Sequence, residues 1–139
     1  MYSLHIAGII IIGLNLIVTW SAFQDQGRFN DTLLRVGSLK QGQWYRLFSS
    51  GFVHVDWTHF FFNMFSLYVF AGRVEANLSS AYFILIYAIS LLGGNLLAWF
   101  YHRDNNEYRA VGASGAVSGI IFSAIILEPG MSLYMFFIP

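Results

Sequence analysis

The sequence predicts an all-α membrane protein folded as a helical transmembrane bundle. Three observations carry this expectation. Of the 139 residues, 57% are hydrophobic and only 10% are charged, against roughly 45–50% apolar and about 25% charged in ordinary soluble domains. The apolar residues gather in four segments of spanning or near-spanning length. The stretches between those segments hold nearly all of the charge. Aromatic residues at 19% suit both a bundle core and the interfacial belts of a bilayer.

The first segment covers residues 4–23. It is almost uncharged and has the length of about 20 residues needed to cross the hydrocarbon core. It lacks a basic leading region and a small-residue cleavage site before Gln24, so it reads as a retained transmembrane helix, not a signal peptide. The second segment runs from residue 57 to about 74, with Asp56 placed to cap it. The third covers residues 79–101. The fourth opens around residues 112–114 and stops near Leu127, before Glu128, Pro129 and Gly130, since a proline-glycine pair ends helices.

Residues 24–55 are too polar to span and too aromatic for a plain linker. Trp44, Tyr45, Leu47, Phe48 and Phe52 alternate with Arg28, Arg35, Lys40 and Arg46. That mixture suits a structured loop lying in the membrane interface. The fourth segment is short, about 16 residues or ~24 Å at the helical rise. Its N-terminus should therefore lie below the membrane surface, opening at the bottom of a wet, protein-lined pocket. Residues 102–109 read as a plain solvated loop. Residues 131–139 are apolar and read as the beginning of another element.

The composition also excludes functions. There are no cysteines, hence no disulfide framework and no thiolate metal site. A formal net charge of zero gives no basic footprint for nucleic acid. No cofactor is expected.

Polar side chains inside apolar segments are costly and tend to face the bundle interior. His59 and Asn63 are four residues apart and share one helix face. On spacing alone they read as interhelical hydrogen bonders. Two histidines with no third ligand of matching spacing make a poor metal site. Asn15 and Asn95 read as packing hydrogen bonders. Ser90, Gly94 and Ala98 form a small-residue row for a helix contact. The fourth segment opens Gly112-Ala113-Ser114-Gly115 and continues through Ala116, Ser118 and Gly119. Gly115 and Gly119 make a close-packing motif. The same glycines clear space around the Ser114 hydroxyl, at a helix N-terminus whose free N–H groups can face an oxyanion. It is not the nucleophile elbow of soluble hydrolases, because Ala116 stands where the last glycine should be and no strand precedes it.

The spacing His54-x4-His59-x3-Asn63 at the head of one transmembrane helix, followed by Gly112-Ala113-Ser114-Gly115 at the head of a later one, resembles the rhomboid family of intramembrane serine proteases. Trp44-Tyr45-Arg46 is similar to that family's loop signature, and Gly72-x-x-Glu75 to the end of its second helix. The resemblance runs along residues 1–139 as one transmembrane domain, C-terminally incomplete. It implies an endopeptidase that cuts transmembrane protein substrates through a serine-histidine dyad. Ser114 would be the nucleophile. His59 and Asn63 would line the oxyanion hole with the Ser114 backbone N–H. His54 would order the loop, and Trp44 and Arg46 would anchor it in the interface. Gly115 and Gly119 would pack the fourth helix against the helix bearing the general base. Membrane lipids would be its surroundings, and a bacterial inner (plasma) membrane its place.

The sequence departs from that family in two respects. The general base would be a histidine on a later helix, and His5, His54, His59 and His102 do not match it. A fragment or truncated product, inactive alone, is the expectation. Ser118 stands where the family often has an aromatic residue stacked on that histidine. The alternative is a non-catalytic member that binds transmembrane helices. A small transporter or assembly subunit is a more distant third reading. The basic residues of the first and third loops would place those loops in the cytoplasm by the positive-inside rule. The resemblance places the first loop outside, and the expectation follows it.

Overall fold

The computed structural model describes residues 5–130. Leu4 and the tail 131–139 lie outside the described residues. The elements in chain order are α1 (Ile6–Gln24), α2 (Gln26–Thr32), β1 (Leu34–Arg35), α3 (Val36–Lys40), α4 (Arg46–Ser49), a 3₁₀ turn (Ser50–Phe52), α5 (Trp57–Leu78), α6 (Ser80–His102), β2 (Arg109–Ala110) and α7 (Ser114–Leu127). The four expected apolar segments are α1, α5, α6 and α7, with ends within a few residues of those read from the sequence.

The expected number of four spanning helices is only partly met. Among the described residues, α1 and α6 are long and apolar enough to cross a membrane. Helix α5 has 22 residues but carries His59, Asn63, Arg73, Glu75 and Asn77, which lower its hydropathy. Helix α7, with 14 residues, reaches only about 21 Å.

The bundle is apolar on the outside as well as within. On α5, Phe60, Asn63, Met64, Leu67, Phe70, Ala71 and Val74 are buried, a helical period facing α1 and α7. Its other face leaves Phe65 63% and Tyr68 66% exposed. Leu97 on α6 and Ile126 on α7 are 69% and 77% exposed. A contiguous exterior of this kind is untenable in water and natural against lipid tails.

Close backbone approach sets the helix packing. A Cβ on Gly8 would stand 2.7 Å from the Cβ of Ala71, so α1 and α5 meet where neither carries bulk. Glu75 then reaches across: its carboxylate accepts from the backbone N–H of Gly8 at 2.8 Å and Ala7 at 3.3 Å. These are orphan donors of the first turn of α1, which has no cap of its own. Ser80 at the head of α6 donates to the same carboxylate at 2.7 Å. Gly72 leaves room for the ring of His5. The Gly72-x-x-Glu75 pattern is thus a cross-helix cap on α1. At the far ends of α5 and α7, Arg73 pairs with Glu128 at 2.6 Å, and Asn77 donates to Glu128 at 3.0 Å. These bonds hold the Glu128 carboxyl below its ordinary pKa.

Residues 24–55 fold into a small structured layer, not a run of coil. Asp25 caps α2 by accepting from the N–H groups of Gly27 and Arg28. Arg46 is buried and holds the layer together. Its guanidinium donates to the carbonyls of Asn30 at 2.6 Å and Leu33 at 2.8 Å, and to Gln43 Oε1 at 2.6 Å. Trp44 packs edge-on against Trp99 of α6, with ring centroids 5.5 Å apart.

The third loop departs from expectation. It is largely exposed but not simply solvated. Strand β1 pairs antiparallel with β2, Leu34 facing Ala110 and Arg35 facing Arg109. Glu107 binds Arg35 at 2.7 Å, and Lys40 donates to Asn106 at 2.8 Å. Two-residue strands carry no periodicity, so hydropathy could not reveal them. This pairing gives Arg35 a job inside the protein, as the carbonyls of Asn30 and Leu33 do for Arg46, which weakens the weight of both in a positive-inside count.

Candidate active site

Ser114 is the first residue of α7, and its side chain is exposed. Ala113, at the cap position, offers no side-chain acceptor. The first N–H groups of α7 point out of the helix without an intrahelical partner. An electrophile beside Ser114 would therefore meet the positive end of a helix.

The turn into α7 is held by three contacts from distant parts of the chain. Gly112 has φ +114°, a left-handed conformation that suits glycine. A Cβ there would lie 2.6 Å from Cε1 of His59, so the imidazole sits directly on the Gly112 backbone. Gly112 donates its N–H to the Ser50 carbonyl at 2.9 Å. The Ala113 N–H points at His54 Nε2 at 3.5 Å. Asn95 of α6 secures the Ser50 side of this turn, donating to the Leu47 carbonyl at 2.7 Å and Ser50 Oγ at 3.0 Å.

His54 is fully buried, and its tautomer follows from its neighbours. Thr19 of α1 donates its one hydroxyl hydrogen to the Phe52 carbonyl at 3.1 Å. At 3.0 Å from His54 Nδ1, the Thr19 oxygen can then only accept, so Nδ1 carries the proton. Nε2 is left with a lone pair for the Ala113 N–H. Burial, and secondarily the neighbouring His59, push the His54 pKa down to about 4, as a neutral ring in this network requires. The His54 and His59 rings meet edge-on with centroids 5.2 Å apart.

Asp56 caps α5 as expected, accepting from the His59 N–H at 2.7 Å. Asn63 is buried one turn on. It donates one Nδ2 hydrogen to the His59 carbonyl at 2.9 Å, within its own helix and not across to another. Its second Nδ2 hydrogen stays available. His59 Nδ1 is buried without a hydrogen-bond partner among the described residues.

Among the described residues, the neighbours of Gly115 and Gly119 come from one helix, α6. Gly115 lies against the Ser90 carbonyl and the Gly94 Cα, and a Cβ on Gly119 would overlap the Ser90 side chain. The small-residue row read on the third segment is their partner, because only such residues let the two backbones come this close. Asn15 links α1 to α6 through the Tyr87 hydroxyl at 3.3 Å.

The sequence reading places Ser114, His59 and Asn63 in the chemistry and gives His54 a loop-ordering role; the fold brings Gly112 to His59 and Ala113 to His54. The sequence reading passes over Thr19 and Ser50. Thr19 carried a signal that was available: a polar residue inside an otherwise apolar span. Ser50 acts through a backbone carbonyl and carried none. Among the described residues no group of three His, Asp or Glu side chains could hold a metal.

The site and the bundle define a class of membrane protein, and comparison with known sequences supplies it. The Rhomboid domain family matches residues 41–139, and the chain belongs to the rhomboid family. Among its relatives, RHOMBOID-like protein 12, mitochondrial, of Arabidopsis thaliana is 29% identical over 150 residues, covering 96% of this chain and 45% of the relative. Rhomboid-like protein 11, chloroplastic, of the same plant is 33% identical over 85 residues, covering 61% and 30%. Rhomboid protease GluP of Bacillus subtilis is 29% identical over 96 residues, covering 66% and 18%. The chain spans less than half the length of these relatives. Family and apolar helices make it an integral membrane protein. Two of these relatives are named for plant organelles, and the expectation of a bacterial plasma membrane finds no support in them.

Proposed function

We propose that this chain supplies the nucleophile and the oxyanion hole of an intramembrane serine endopeptidase acting on transmembrane protein substrates. The observation that carries the reading is the exposed Ser114 hydroxyl at the head of a short helix, beside a turn braced by His54 and His59. Ser114 Oγ attacks the scissile carbonyl, forming the C–O bond of a tetrahedral intermediate. The carbonyl oxygen becomes an oxyanion, received by the Ser114 backbone N–H, the second Nδ2 hydrogen of Asn63 and an N–H of the His59 ring. The proton leaving Ser114 needs a general base. None of the four histidines of the chain stands in the family's setting for it, and His54 is held neutral with its lone pair turned to Ala113. On this reading the reaction requires a general base other than these four histidines, and Ser114 does not cleave without it.

A second reading, in which no base serves Ser114, is a non-catalytic rhomboid that binds transmembrane helices. One assay separates the two. A single-span reporter is incubated with the protein in its native membrane. The protease reading predicts cleavage that Ser114→Ala abolishes and Asn63→Ala slows about 10²-fold. Reporter bound but never cut, with Ser114→Ala binding equally well, establishes the second reading.

A further inference from the structure

On the outer side of α1, two depressions run into one another. One, of about 670 Å³, is a wholly apolar groove between α1 and α5, walled by Leu16, Trp20, Trp57 and Phe61. The other, of about 470 Å³, lies under the first loop and includes Arg28, Asp31, Tyr45 and Ser49. Ile17 and Ser21 line both. The Trp20 and Trp57 rings approach to 5.9 Å, and indole pairs favour the level where acyl chains meet headgroups.

The polar depression presents two opposite charges, neither fully committed. Arg28 donates to Ser21 Oγ at 3.1 Å, which sets its guanidinium at the junction of the two depressions. Its acidic neighbour Asp25 is 4.0 Å away and already caps α2. Asp31 is largely exposed and stands 3.7 Å from Arg46, whose stronger hydrogen bonds go to backbone carbonyls. The Tyr45 hydroxyl donates to the Asp31 carbonyl at 3.2 Å, so its oxygen can still accept.

We propose that this continuous surface binds one phospholipid carrying a phosphate and a primary ammonium. The phosphate sits on Arg28, as a guanidinium favours. The ammonium donates to the Asp31 carboxylate and the Tyr45 oxygen, and one acyl chain fills the groove at Trp20, Trp57 and Phe61. A headgroup with phosphate alone leaves Asp31 facing like charge, and a trimethylated ammonium cannot donate. None of Ser114, His54, His59 and Asn63 lines either depression, so the inference stands independently of the proteolytic reading.

Native mass spectrometry of the whole chain tests it, with phosphatidylethanolamine, phosphatidylglycerol and phosphatidylcholine offered in equal amounts. The expected result is one retained phosphatidylethanolamine per chain, preferred at least fivefold over either competitor. Arg28→Gln and Asp31→Asn each remove the preference, while Lys40→Gln and Ser114→Ala keep it. Arg28 is exposed, so Arg28→Gln leaves no buried group unpaired and the fold remains for comparison. Equal retention of the three lipids, an unchanged preference in Arg28→Gln, or occupation of the groove by a single-span peptide in place of lipid overturns the proposal.

Discussion

Replacing Arg46 with alanine removes the buried side chain that ties α2, the residue after it and the turn before α4 together. Its guanidinium satisfies the Asn30 and Leu33 carbonyls at 2.6 and 2.8 Å, and Gln43 at 2.6 Å. Hydrogen bonds to a charged group are worth about 1.5–3 kcal/mol each, and they do not add in full. Alanine also strands two carbonyls and leaves a space where the side chain was. Losing one member of a buried charged network costs about 3–5 kcal/mol, and that is the destabilisation expected here. The Asp31 contact at 3.7 Å adds little, because its carboxylate is exposed. Arg46→Lys keeps the charge but lacks the planar fork that serves several acceptors together. It should lose roughly half as much. Reversible unfolding by SDS titration in mixed micelles, followed by circular dichroism, measures both. Lys40→Ala, an exposed control, should stay within about 0.5 kcal/mol. An Arg46→Ala cost below about 1 kcal/mol would refute the assignment of Arg46 as the brace of this loop.

Three further outcomes follow from the same geometry. Gly112→Ala forces a side chain into a positive-φ position and onto the His59 ring, and should cost about 2–4 kcal/mol; two-dimensional NMR of ring-labelled histidine should show the His59 signals move more than those of His102. Glu75→Gln weakens the cap on α1 and should cost about 0.5–2 kcal/mol, with faster amide exchange at Ala7 and Gly8 as its local mark. Because the His54 pKa is depressed to about 4, its contribution to stability is complete above the ordinary histidine value of about 6.5 and is lost as pH falls towards 4, where the unfolded chain binds a proton that the native ring refuses. Unfolding free energies between pH 7.5 and 4.5 should fall accordingly, and His54→Asn should flatten that slope. The Arg73–Glu128 pair acts in the same direction, but only below the ordinary carboxylate range.

The parts of this molecule that hydropathy can reveal were the parts read most accurately. Long helices in lipid are selected by length and by scarcity of charge, so α1 and α6 announce themselves. Helix α5 is legible as an apolar segment of near-spanning length with Asp56 at its cap, although, unlike α1 and α6, it does not combine the length and hydropathy of a membrane span. The first loop was recognised as structured from its mixture of aromatic and basic residues. Its internal elements are too short to carry a period, and β1 finds β2 more than seventy residues away. At the site, Ser114, His59 and Asn63 are legible through the joint spacing that resembles the rhomboid family; polarity alone reads His59 and Asn63 as interhelical hydrogen bonders. Their bracing is not legible in the sequence. The His54 tautomer depends on Thr19, Phe52 and Ala113, which only the folded chain brings together. The partner of Gly115 and Gly119 depends likewise on the Ser90–Gly94 row, which the sequence showed as a contact surface without saying for what.

The central claim of the proposed function is that Ser114 is a nucleophile whose activation needs a base other than His5, His54, His59 and His102. Labelling with a fluorophosphonate, mapped by mass spectrometry, tests it most directly, because the reagent reports on serine activation without needing a substrate. The account predicts labelling at Ser114 in the protein from its native membrane, none in the Ser114→Ala variant, and none in the isolated 139-residue chain. Labelling of Ser114 in the isolated chain at the rate found in the native membrane would contradict it, and so would a native protein that takes no label at Ser114.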